Sequence, residues 1–85
     1  MTTHKKNTKK LMRISKAATA AGVSKQSVEY YVMVGLIRPI RGKRGAGKGA
    51  RFFDAKLVRR IRLIRQLNDS GYTLRSIRET YLRGK

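Results

Sequence analysis

The run from Ala17-Ala18 through Gly22-Val23-Ser24 to Val28 leaves this chain little freedom of fold. Alanine-rich sequence stops at a glycine suited to the left-handed position after a helix, and Ser24 follows as a side chain able to cap a new N-terminus. Two helices joined this tightly cross closely, which needs a small residue inside the first (Ala18), glycine in the turn (Gly22) and a branched apolar residue inside the second (Val28). The arrangement predicts a helix-turn-helix. Upstream, Leu11-Met12-Arg13-Ile14 reads as a short strand or extended stub, and Ser15 as the N-cap of a two-turn first helix.

The second helix is predicted from about Ser24 to Val34, with Val28, Tyr31 and Val32 inward and Lys25, Gln26, Glu29 and Tyr30 outward. Gly35 ends it and Pro39 forbids its continuation. From Arg41 to Ala50 the chain is almost entirely glycine and cation, and Arg51-Phe52-Phe53 reads as a returning strand, so a β-hairpin wing with a thin basic tip is expected. Asp54 suits the N-cap of a third helix with an apolar stripe of Leu57, Ile61, Ile64 and Leu67. Its cations, Lys56, Arg59, Arg60, Arg62 and Arg65, are either a solvated face or a second surface for phosphates. Gly71 closes that helix, and Thr73 caps a fourth with Leu74, Ile77 and Tyr81 as its buried stripe. The expected fold is mainly α: a winged helix-turn-helix with four helices and a small β-hairpin wing over residues 11–85, preceded by a disordered basic arm at 1–10.

Charge narrows the function. Over 85 residues, 22 Lys and Arg stand against 4 Asp and Glu, a net charge of +18. Such a chain repels itself until a polyanion neutralises it, and nucleic acid is the natural partner. A single small domain has few residues to spare for a substrate cavity. The absence of Cys excludes a disulfide framework, a thiolate metal site and a cysteine nucleophile. The four acids are scattered and form no pair for acid–base work, and His4 reads as an ordinary tail residue. Gly42, Gly47 and Lys48 satisfy the first part of a phosphate-loop pattern, but Gly49 stands where a Ser or Thr must meet magnesium. No catalytic centre, metal, cofactor or enzymatic activity is therefore expected. No apolar window is long enough to span a membrane, and no membrane partner is expected.

Taken together, Ala17-Ala18, Gly22-Val23-Ser24, Tyr30-Tyr31, Gly35-Leu36-Ile37-Arg38-Pro39, Arg51-Phe52-Phe53 and the glycine-aromatic-Thr-Leu sequence at Gly71–Leu74 carry a resemblance. From Met12 to Leu82 the chain resembles the MerR-like winged helix-turn-helix DNA-binding domains. Where that family typically sets Arg before the paired tyrosines and Glu soon after, this sequence has Glu29 and Val32, and its wing is longer and richer in Gly and Lys. Full-length regulators of the family continue into a dimerising helix and an effector region, and this sequence stops before either, so no small-molecule effector is expected. The resemblance implies double-stranded DNA as the partner, with the helix from Ser24 in the major groove and the wing on the flanking backbone or minor groove. It also implies a bacterial or phage cytoplasm and association with the nucleoid.

Reach and chemistry then distribute the roles. Lys25, Gln26 and Ser27 lie at the N-terminus of the recognition helix, nearest the base edges; Lys can meet guanine acceptors and Gln can pair with adenine. Tyr30 and Ser24 are phosphate candidates. In the wing, Arg41, Lys43, Arg44, Lys48 and Arg51 are candidates for phosphates or the minor groove. Arg13 and Lys16 flank the start of the first helix, where free backbone N–H groups welcome a phosphate. The expected function is a small transcriptional regulator, with a second copy on an adjacent site as a further partner. The alternatives are a sequence-blind nucleoid or excisionase-like recombination protein, and a basic protein bound to structured RNA.

Overall fold

The computed structural model describes residues 10–41 and 50–82, the last two by their backbone alone. Of the expected arm, residues 1–9 lie outside the described residues, as do Gly42, Lys43, Arg44, Gly47 and Lys48 of the wing tip. In chain order the elements are α1 (Ile14–Ala21), α2 (Lys25–Met33), β1 (Ile40–Arg41), β2 (Arg51–Phe52), α3 (Ala55–Asp69) and α4 (Leu74–Ile77), which runs on into a π-helical turn at Arg78–Leu82. The four helices and the antiparallel hairpin are those expected. Ile40 pairs with Phe52 and Arg41 with Arg51.

The turns form where the local chemistry demands. Gly22 has φ +77°, and its N–H donates to the Thr19 carbonyl at 3.1 Å while that of Val23 reaches Ala18 at 3.0 Å. This is the paired closure of a Schellman motif, which needs a left-handed residue that glycine supplies without a Cβ penalty. The same ladder ends α2, where Gly35 (φ +85°) donates to Val32 at 3.1 Å and Leu36 to Tyr31 at 2.9 Å. A third copy ends α3, from Gly71 to Asn68 and from Tyr72 to Leu67, both at 3.1 Å. At the opposite ends, Ser24, Asp54 and Thr73 accept from the backbone N–H of Ser27, Leu57 and Ser76.

Two local expectations are corrected. Ser15 does not cap α1, which starts two residues earlier than expected, with Arg13 at the N-cap. The reason is tertiary: Met12 and Phe53 exchange backbone hydrogen bonds of 2.9 and 2.8 Å, which fixes the chain as extended up to Arg13 and leaves Ile14 to begin the helix. The buried stripe of α3 is Val58, Ile61 and Ile64, with Leu57 and Leu67 half-buried at its margins, because Asp54 sets the start of the helix and turns Val58 inward. Ile77 is buried on α4, and the side chain of Tyr81 lies outside the described residues.

Phe53, Val28, Ile61, Ile64 and Ile77 are the largest fully buried side chains, and among the described residues no charged group is buried. Ala17, Ala18 and Ala21 let α1 approach both α2 and α3. Tyr31 sits inward, and burial pushes its phenol above the ordinary tyrosine value, with the Arg65 cation opposing and the Asp69 carboxylate adding to the shift.

Part of the cationic face of α3 has a structural use. Arg62 donates to the Ala20 carbonyl at 2.9 Å and Arg65 to that of Gly22 at 3.0 Å, so both meet the negative end of α1. Arg78 does the same for α2 through the Val34 carbonyl at 3.2 Å. Arg65 also pairs with Asp69 at 2.9 Å. Arg65→Ala removes both interactions and is expected to cost about 1 kcal/mol, seen as a lower urea midpoint with an unchanged m-value.

Candidate nucleic-acid interface

The outer stripe of α2 is Lys25, Gln26, Glu29, Tyr30 and Met33, all exposed, and its inner stripe is Val28 and Tyr31. This division follows from the helical period, since Val28 and Tyr31 are three apart and take the face toward α1. Ser24 lies at the cap: its hydroxyl accepts from the Ser27 N–H at 3.1 Å and donates to the Ser27 hydroxyl at 3.0 Å. Ser27 is accordingly half-buried and turned back toward the cap, while Lys25 and Gln26 stand free of it. Tyr30 is 49% exposed and borders an open hollow of about 270 Å³ with Val34, Leu36, Leu74, Arg75 and Arg78.

At the base of the wing, Arg41 and Arg51 face each other across the hairpin. Like charges directly opposite repel, so this pair favours an anion nearby. The nearest carboxylate is Glu29 of α2, whose Oε2 lies 4.0 Å from Arg51 Nη2. Arg13 stands over the ring of Phe52, 5.4 Å from its centroid, a cation–π contact that holds its guanidinium beside the wing. Lys16 is exposed on α1, and among the described residues no side chain caps that helix. The structure thus gathers Arg13, Arg51 and the outer stripe of α2 through direct contacts with the wing.

Two residues share the stripe of α2 without belonging to the expected contact set. Met33 is 72% exposed and Glu29 bridges to the wing. Their spacing of four from Lys25 to Glu29 and again to Met33 is the signal in the sequence that places them there. Among the described residues no three His, Asp or Glu side chains converge as a metal site would require, and no helix is long and apolar enough to cross a membrane.

A close helix pair with a glycine turn, an exposed polar stripe on its second helix and a hairpin against that helix define the winged helix-turn-helix class. Within it, the chain belongs to the MerR HTH family of regulatory proteins, whose family model matches residues 12–83. It is 31% identical over 68 residues to the HTH-type transcriptional regulator HmrR of Rhizobium leguminosarum bv. viciae, covering 80% of this chain and 50% of that one. It is 35% identical over 66 residues to the mercuric resistance operon regulatory protein of Bacillus cereus, covering 76% and 47%. The chain spans about half the length of these curated relatives. Among solved structures, its fold is similar to that of a MerR-family transcriptional regulator from Bacillus cereus, with a TM-score of 0.73 at 21% identity over 89% of this chain and 55% of that one. It is also similar to HiNmlR, a MerR family regulator lacking the sensor domain, bound to promoter DNA, with a TM-score of 0.71 at 22% identity over 89% and 58%.

Proposed function

We propose that this chain docks on double-stranded DNA as the site-reading part of a transcriptional regulator. The observation that carries the reading is the exposed stripe of α2, flanked by cationic residues of the wing and α1 in a chain of net charge +18. α2 enters the major groove; Lys25 and Gln26 read base edges, and Ser27 supports them from the cap. Ser24 and Tyr30 hold phosphates beside the groove. Arg41 and Arg51, with Lys43, Arg44 and Lys48 of the wing tip, follow the flanking backbone or minor groove, and Arg13 and Lys16 hold a phosphate at the start of α1. The relatives named as regulators, and the DNA-bound state of one structural neighbour, support this reading. It assigns no reaction, cofactor or small-molecule effector to the chain; residues 11–85 form the docking domain, residues 1–10 add attraction to the backbone, and a second copy binds an adjacent site on the nucleoid.

The test is selection from random duplexes at several salt concentrations with a structured RNA as competitor. An enriched motif at the highest salt supports the reading; loss of all binding to the RNA competitor overturns it, and binding without a motif replaces it with a sequence-blind coat. Given a motif, Lys25→Ala with Gln26→Ala is expected to lower discrimination by roughly 1–3 kcal/mol for each side chain truncated, with less change on random duplex, measured by competition titration.

A further inference from the structure

Of the four acidic residues, three are occupied within their own helices. Asp54 caps α3, Asp69 pairs with Arg65 one turn away, and Glu79 pairs with Arg75 one turn away. Glu29 differs in both place and partner. It stands on the outer stripe of α2, half exposed, and its partner Arg51 belongs to the wing. A carboxylate there is costly on the proposed reading, because it meets a phosphate-lined groove with the wrong sign. The 4.0 Å separation exceeds a hydrogen bond, so Arg51 is held by charge alone and can leave for a stronger anion.

We infer that Glu29 is a sequence-discriminating group whose carboxylate accepts a hydrogen bond from the exocyclic amino group of a cytosine once Arg51 has passed to a phosphate. The inference rests on the DNA-docking reading above. In the free protein Glu29 takes the place of that phosphate, neutralising Arg51 where it faces Arg41 across the hairpin. An ionised carboxylate offers acceptors only. Cytosine presents an amino donor in the major groove and no acceptor of its own, whereas adenine sets its N7 acceptor beside its amino group and guanine and thymine offer acceptors. Over guanine or thymine the carboxylate meets acceptors alone, and over adenine the one donor it can use comes with the N7 acceptor beside it, so Glu29 weakens binding to wrong sites as well as favouring the right one.

The experiment is selection from random duplexes with the parent chain, Glu29→Gln and Arg51→Gln. The parent is expected to prefer cytosine at one position by roughly five- to a hundred-fold. Glu29→Gln should change that position to adenine, which glutamine meets with a donor and an acceptor, leave every other position as it was, and bind random duplex more tightly. Arg51→Gln should keep the cytosine and weaken all sites alike. Because Glu29 is exposed, Arg51 is only partly buried and their ion pair is longer than a hydrogen bond, equal melting temperatures are expected to show that the fold is unaffected. An unchanged motif in Glu29→Gln overturns the inference and leaves the docking reading standing. Absence of any motif for the parent chain overturns base reading altogether, and this inference with it.

Discussion

Raising salt from about 50 to about 200 mM is expected to weaken binding to any duplex roughly a thousand-fold. The magnitude follows from the cations that can meet phosphate, less those already engaged. Arg62, Arg65 and Arg78 are directed at backbone carbonyls of α1 and α2, and Arg75 is paired with Glu79. Arg13, Lys16, Lys25 and Arg41 remain on the candidate surface, with Arg51 once it leaves Glu29, and the sequence between Arg41 and Arg51 supplies the further cations Lys43, Arg44 and Lys48. If about six phosphates are neutralised, the logarithm of affinity falls with the logarithm of salt at a slope near −5. Anisotropy titration of a labelled duplex across the salt series measures this directly. A slope shallower than about −2 would contradict docking by both helix and wing. The gap between selected and random sites should narrow far less than either affinity falls, because base contacts displace few counterions.

Phe53→Ala is expected to cost about 3–5 kcal/mol, a large share of the roughly 5–15 kcal/mol by which folded domains are stable. Phe53 is fully buried, follows β2 directly and exchanges two backbone hydrogen bonds with Met12. Removing the ring opens a cavity at the point where wing, extended N-terminal segment and α3 meet. Urea unfolding measures the loss, and Phe53→Leu, which keeps most of the volume, should cost less than half as much. Affinity for DNA should fall with the folded fraction in Phe53→Ala and return at low temperature or with stabilising osmolyte. Persistent loss of binding in a fully folded variant would instead give Phe53 a direct place in the interface.

The features legible in the sequence are those that local chemistry decides. Gly22, Gly35 and Gly71 end helices, and Ser24, Asp54 and Thr73 begin them, because capping acts over three or four residues and leaves a readable mark. The outer stripe of α2 follows likewise from the helical period. Contacts made across the fold left no such mark. Ser15 has the right chemistry for a cap, yet the distant strand at Phe53 holds Met12 and moves the helix start. Arg62 and Arg65 look like an ordinary solvated face until their carbonyl partners, 42 and 43 residues away in sequence, are seen. Glu29 is one more polar residue on a helix until Arg51 returns from the far side of the wing.

The pairing of Met12 with Phe53, and the reach of Arg62, Arg65 and Arg78 back to α1 and α2, also govern when the molecule becomes competent during its synthesis. The helix-turn-helix leaves the ribosome before Phe53, Ile61, Ile64 and Ile77, the residues that close its inner face. Two short helices cannot hold their crossing without that cover. A nascent chain that has emerged only as far as β1 therefore has the residues proposed to read DNA and no rigid frame to present them, and engagement waits until Ile77 has joined the core.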